Sequence, residues 1–96
     1  EQLPASFSLE QNYPNPFTPA TTIAFSLAEA GDVRLTVYDV LGREVKVLMN
    51  EALMRGRHEV VWDGTNAALE SVPSGVYFAC LSAGDRSATR KLLLLR

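Results

Sequence analysis

Apolar and polar residues alternate with a period of two along most of this chain, and turn formers punctuate the alternation. In residues 22–27, Ile23, Phe25 and Leu27 fall on one face and Thr22, Ala24 and Ser26 on the other, the pattern of a half-buried strand. Ala30-Gly31-Asp32 reads as the turn out of it. Residues 32–39 follow, with Val33, Leu35 and Val37 inward and Arg34, Thr36 and Tyr38 outward. A glycine turn at Leu41-Gly42-Arg43 and a return over 44–48, with Val45 and Val47 inward, predict a β-hairpin. The stretch 48–55 is too short for a stable helix and is expected to be loop. Residues 57–63 predict a strand on which His58, Val60 and Trp62 share a face. Asp63-Gly64 opens a long connection through Pro73 with turn formers at both ends. Ser74-Gly75 leads into a strand over 76–83, Gly84-Asp85 makes the last hairpin turn, and the final strand covers 87–95.

A short strand at 7–9 completes seven, with residues 1–6 read as the end of a linker. Short strands at a spacing of roughly ten residues, without a helix, predict an all-β fold: an antiparallel sandwich of the immunoglobulin-like or fibronectin-III-like kind. Two segments stand outside the alternation. In Gln11-Asn12-Tyr13-Pro14-Asn15-Pro16-Phe17 the prolines hold φ near −65° and bias Tyr13 and Asn15 away from helix. This is a stiff, extended lead-in, with Tyr13 and Phe17 available to anchor it on the core. At the other end, Arg90-Lys91-Leu92-Leu93-Leu94-Leu95-Arg96 puts leucine on both faces of a strand. Either the strand is sandwiched on both sides or covered by the 12–17 segment, or it is an edge for a partner chain.

The 96 residues suit one domain with a single core, and near-half apolar content places the chain among globular proteins. A net charge of −2, with seven scattered arginines, offers no basic stripe for nucleic acid or an anionic membrane. The single cysteine, Cys80, excludes an internal disulfide framework and a cysteine-based zinc knuckle. The most apolar run, Leu92 to Leu95, is four residues, far short of the roughly 20 of a spanning helix. The chain opens on Glu1 and carries no signal peptide, so we expect a piece of a larger protein.

Catalytic chemistry finds little footing. His58 is the only histidine, and its place at the margin of an inward face suits packing better than acid–base work. A dyad with Cys80 would need a third, orienting group that nothing singles out. Asp32, Asp39, Asp63 and Asp85 sit mostly beside glycine at strand ends, the chemistry of turns rather than of a calcium loop. Sugar binding needs two or three exposed rings in line. Tyr38 and Phe78 point outward, while most other rings are claimed by inward faces. No cofactor, nucleic acid or small-molecule substrate is expected.

The ordered set QNYPNPF (11–17), TTIAFSL (21–27), VYDVLGREV (37–45), GRHEVVWDG (56–64), SGVYF (74–78) and TRKLLLLR (89–96) resembles one family. It is the type A C-terminal sorting domain of the type IX (Por) secretion system, whose fold is similar to the immunoglobulin-like domain of the flagellar hook-capping protein. The resemblance covers nearly the whole chain. It implies a non-catalytic last module over 7–96 that directs an N-terminally linked cargo protein through the type IX machinery. The cargo passes the periplasm and crosses the outer membrane to the cell surface or medium. A sortase-like cysteine protease then removes the module, and the cargo is attached to surface lipopolysaccharide or released. By resemblance the recognition features are Pro14, Asn15 and Pro16 in the lead-in, Gly75 and Tyr77, and the terminal strand Arg90, Lys91, Leu92, Leu93, Leu94, Leu95 and Arg96. Cys80 stands where the family usually shows a charged or polar residue, and is therefore expected outward and partly exposed, open to chain-to-chain disulfides in vitro. Ala79 stands where a larger residue is common, which implies looser packing. The alternative function is a carbohydrate-binding or structural assembly module of a secreted multidomain hydrolase.

Overall fold

A computed structural model describes residues 6–96. Seven strands follow in chain order: β1 (Ser8–Leu9), β2 (Thr21–Leu27), β3 (Gly31–Tyr38), β4 (Glu44–Leu53), β5 (Gly56–Trp62), β6 (Gly75–Ala83) and β7 (Arg86–Leu94). They form two sheets of order β1-β2-β5 and β4-β3-β6-β7, and every strand pair is antiparallel. The predicted all-β sandwich is what the chain forms. The linker end expected at its start lies, but for Ser6, outside the described residues.

The core follows from the alternation. Ile23, Phe25, Leu27 and Trp62 from one sheet meet Val33, Leu35, Val37, Tyr77, Ala79, Leu81, Leu92 and Leu94 from the other, all buried. Each large side chain removed from water in this way contributes about 1.5–3 kcal/mol. Ala24 and Thr36 alternate outward yet are also buried. Each lies on a strand paired on both sides, where a small side chain shows little surface.

The stretch 48–55 is not a loop, because β4 continues to Leu53. Its register against β3 slips twice, between Leu35 and Thr36 and between Val37 and Tyr38. Each slip leaves one β4 residue, Leu48 and then Val45, without a partner in β3, as a β-bulge does. The bulges break the period of two, which hid the strand, and they re-aim its side chains. Val45, Leu48, Met49 and Leu53 pack against the core, whereas Val47 lies opposite Thr36 on the outer face rather than inward as expected.

The lead-in joins the two sheets. Residues 8–13 run antiparallel to β2, ending with reciprocal Tyr13–Thr22 backbone bonds of 3.0 Å. The chain then crosses to β7, where Phe17 pairs in parallel with Leu94. The prolines occupy the crossing, where a missing N–H forfeits no ladder bond. The anchor differs from expectation: Phe17 is buried, but Tyr13 is 80% exposed. Asn12 takes its place, buried and donating to Thr21 Oγ1 at 2.9 Å and to the Pro14 carbonyl at 3.2 Å. Side-chain bonding of this kind lets a polar residue sit in the interior.

Candidate functional site

The motifs read separately along the chain converge on one pole of the sandwich. Beneath it lies an aromatic cluster built from three of them. The Trp62 ring is 5.6 Å from that of Phe17 and 5.3 Å from that of Tyr77, the latter edge-on, a favoured geometry for ring pairs. Trp62 Nε1 donates to the Thr65 carbonyl at 2.9 Å and the Tyr77 hydroxyl to the Pro73 carbonyl at 2.6 Å. The buried rings thus position the 64–74 connection through their polar ends. Burial also pushes the Tyr77 hydroxyl pKa up. The connection is tied within itself by Asn66, whose Oδ1 accepts from the Ala68 and Glu70 amides.

Arg96 fastens the C-terminal end to this connection. Its Nε donates to the Val72 carbonyl and its Nη2 to the Gly64 carbonyl, both at 2.6 Å, and its amide donates to Ser74 Oγ at 2.8 Å. Gly64 has φ +78, a conformation that favours glycine, and a Cβ there would stand 2.6 Å from Arg96 Nη2 and 3.2 Å from the Pro19 carbonyl oxygen, so a side chain would displace the guanidinium. Gly75, also at positive φ, opens β6 opposite Leu94, and Tyr77 lies opposite Leu92.

The terminal strand is docked, and its free edge is covered by the lead-in. Phe17 N–H donates to the Leu93 carbonyl at 2.9 Å, and Leu95 N–H to the Phe17 carbonyl at 3.0 Å. Asn15 Oδ1 accepts from the Leu93 amide at 3.0 Å, and Gln11 Nε2 donates to the Lys91 carbonyl at 2.8 Å. Of the two sequence readings of 90–96, coverage by the 12–17 segment is therefore the one formed. Leu92 and Leu94 are wholly buried; Leu93 is half-buried and Leu95 exposed, so alternation persists through the leucine run. Arg90 reaches across to the Leu9 carbonyl at 2.8 Å. Pro14, Asn15 and Pro16 are exposed, Asn15 alone of the three bonding β7. The sequence places Gln11 and Asn12 in the lead-in and Arg96 in the terminal strand, but not the hydrogen bonds they make to β7, Thr21 and the 64–74 connection. The polar residues flanking the proline run were the signal available for the first two.

On the outer face of the four-stranded sheet, Glu44, Tyr38, Phe78 and Lys91 lie side by side in register. Tyr38 and Phe78 are half-buried, and among the described residues Tyr13 is the one exposed aromatic ring. That is no platform of aligned, exposed rings for a sugar. Cys80 is outward and partly exposed as expected, its Sγ 3.2 Å from Thr89 Oγ1. His58 belongs to the other sheet, stacked on Phe25 at 5.5 Å with Nε2 2.7 Å from the Met54 carbonyl. Histidine and thiol thus stand on different sheets, and His58 is the packed rim residue expected. Asp39 and Asp63 are turn residues. Asp39 Oδ1 accepts from the Leu41 and Arg43 amides at 2.9 Å, and the Arg43 amide bond leads in holding its pKa down. Asp63 is lowered chiefly by the Thr65 hydroxyl, at 2.6 Å. Glu10 is lowered chiefly by its bond to Arg57. Asp39, Asp63 and Glu10 thus serve turns and ties.

A comparison with curated protein sequences gives no match. Among solved structures, dimeric latent PorU from Porphyromonas gingivalis is similar at a TM-score of 0.69 and 18% identity, over 95% of this chain and 10% of that one. PorZ, a surface component of the type IX secretion system of the same organism, is similar at a TM-score of 0.58 and 21% identity, over 95% and 12%. FlgD from Xanthomonas campestris, a hook-capping protein, gives 0.61 and 25%, over 95% and 63%. The chain spans less than two thirds of each of these proteins, and the likenesses show a shared fold. The family described as "Secretion system C-terminal sorting domain" matches residues 11–95, from the lead-in through the terminal strand, and the chain belongs to that family.

Proposed function

We propose that this domain routes an N-terminally attached cargo protein through the type IX machinery, across the outer membrane, to the cell surface or medium. The observation that carries the reading is the family match across 11–95. Domains of this family are generally non-catalytic, and the separation of His58 from Cys80 on different sheets agrees with that. In this reading Arg90, Lys91, Leu92, Leu93, Leu94, Leu95 and Arg96 form the recognition strand. Gly75 and Tyr77 hold it in register, and Pro14, Asn15 and Pro16 fix the lead-in. A sortase-like cysteine protease then separates the domain from its cargo upstream of the fold.

A fusion of signal peptide, fluorescent protein and residues 1–96 in a type IX-competent host tests the proposal. Delivery to the surface or medium, with periplasmic retention of the same reporter lacking the domain, supports it; retention of both refutes it. A control truncated at Thr89 would mislead, because it removes Leu92 and Leu94 from the core and uncovers β6. Its retention would report unfolding rather than loss of a signal.

A further inference from the structure

Charge is unevenly placed in this acidic domain. Residues 86–96 hold Arg86, Arg90, Lys91 and Arg96 and no Asp or Glu, a charge of +4, so the rest of the chain carries −6. Four of the five cations before this segment stand in ion pairs: Arg34 with Glu44, Arg43 with Asp39, Lys46 with Asp63, and Arg57 with Glu10 and Glu59. Among the described residues no ion pair involves any of the four cations of 86–96. Arg90 and Arg96 instead bond backbone carbonyls. Lys91 is exposed on the outer face, directly opposite Phe78, with Leu93 opposite Val76 two positions on. Tyr38, Val76, Phe78 and Leu93 are half-buried there, an apolar strip with a cation at its margin that has no ion-pair partner among the described residues. From Lys91 to Leu95 the edge of the chain is bonded to the lead-in and its inner face is core, so this strip is the open approach to the terminal strand.

Resting on the sorting reading, we infer that the secretion machinery recognises the terminal strand across this outer face and not along its edge. The receiving surface is that of a protein with a carboxylate set against Lys91 and apolar groups against Leu93, Phe78 and Val76. An unpaired cation beside an apolar strip is complementary to such a surface. A lipid surface fits less well. Of the large apolar side chains that protrude, Tyr13, Val40, Leu41, Met54, Val61 and Leu69 lie on the lead-in, on turns, in loops and on the other sheet, and Leu95 alone belongs to the terminal segment.

The test is the full fusion carrying Lys91→Arg, Lys91→Gln or Lys91→Glu, with thermal unfolding of each purified domain as the fold control. Lys91 is exposed, so all three are expected to unfold within a few degrees of wild type. Arg should be delivered as wild type, and Gln reduced. Glu should be reduced roughly tenfold or more, the scale of a lost close charge pair, with periplasmic accumulation. Wild-type delivery of Lys91→Glu would overturn the inference while leaving the sorting reading intact; retention of the wild-type fusion would instead overturn the sorting reading. Asn15→Ala loosens the covered edge, and delivery above wild type in that variant would overturn recognition by the face. So would Lys91-dependent binding of the domain to phosphatidylglycerol vesicles, or a Lys91-dependent dimer in sedimentation, which would put a membrane or a second copy on the strip.

Discussion

Phe17→Ala tests whether the lead-in is an integral part of the fold. The ring is 1% exposed and sits 5.6 Å from that of Trp62, and truncating a buried phenylalanine costs about 3–5 kcal/mol. The low end applies here, because the lead-in is peripheral and can swing away rather than leave a cavity. If it leaves, the bonds from Gln11, Asn15 and Phe17 to β7 exchange for bonds to water, each a loss of only about 0.5–1.5 kcal/mol. A cost near 3 kcal/mol corresponds to a fall in Tm of roughly 12–24 °C for a domain of this size. Trp62, the only tryptophan and wholly buried, reports the transition by fluorescence. Hydrogen exchange supplies the local signature: the Leu93 and Leu95 amides, which bond to Asn15 and Phe17, should lose protection ahead of those in the β3–β6 ladder. A Tm within about 5 °C of wild type, with both amides still protected, would refute the anchoring argument.

Tyr77→Phe removes the hydroxyl that donates to the Pro73 carbonyl at 2.6 Å and should cost about 1 kcal/mol by urea unfolding; no measurable loss would mean the bond does not hold the loop. Gly64→Ala should destabilise by about 1–3 kcal/mol through its positive φ and the Arg96 contact. Its combination with Arg96→Ala should cost less than the sum of the two singles, since the first already displaces the guanidinium; strict additivity would contradict that coupling. Asp39 and Asp63 have lowered folded-state pKa values. Their contribution is therefore complete above the unfolded carboxyl value of about 3.9 and is lost as pH falls through the lower folded values. Tm should be flat between about pH 7 and 5 and fall below about pH 4, and Asp39→Asn should lessen the fall; an unchanged acid limb would count against Asp39 as a source.

The parts of the fold that keep strict alternation were legible in the sequence. Ile23, Phe25 and Leu27, then Val33, Leu35 and Val37, and the Trp62 face all point as their spacing says. What was illegible has local causes. The bulges at Leu48 and Val45 shift the phase of β4, so a continuous strand reads as a strand and a loop, and Val47 reads inward. Burial of Asn12 rather than Tyr13 depends on Thr21 and the Pro14 carbonyl meeting the amide across the lead-in, a tertiary fact with no periodic trace. At the candidate site, the residues were found through their motifs. Their meeting around Phe17, Trp62 and Tyr77, and the closing of the β7 edge, come from pairing between positions nearly 80 residues apart.

The central claim is that residues 1–96 suffice to send a cargo out of the cell. Its most direct measurement is the location of the fluorescent fusion in a type IX-competent host, read beside the same host with the secretion machinery disabled. Surface or medium delivery is expected in the first and periplasmic retention in the second. A folded fusion held in the periplasm of both would contradict it.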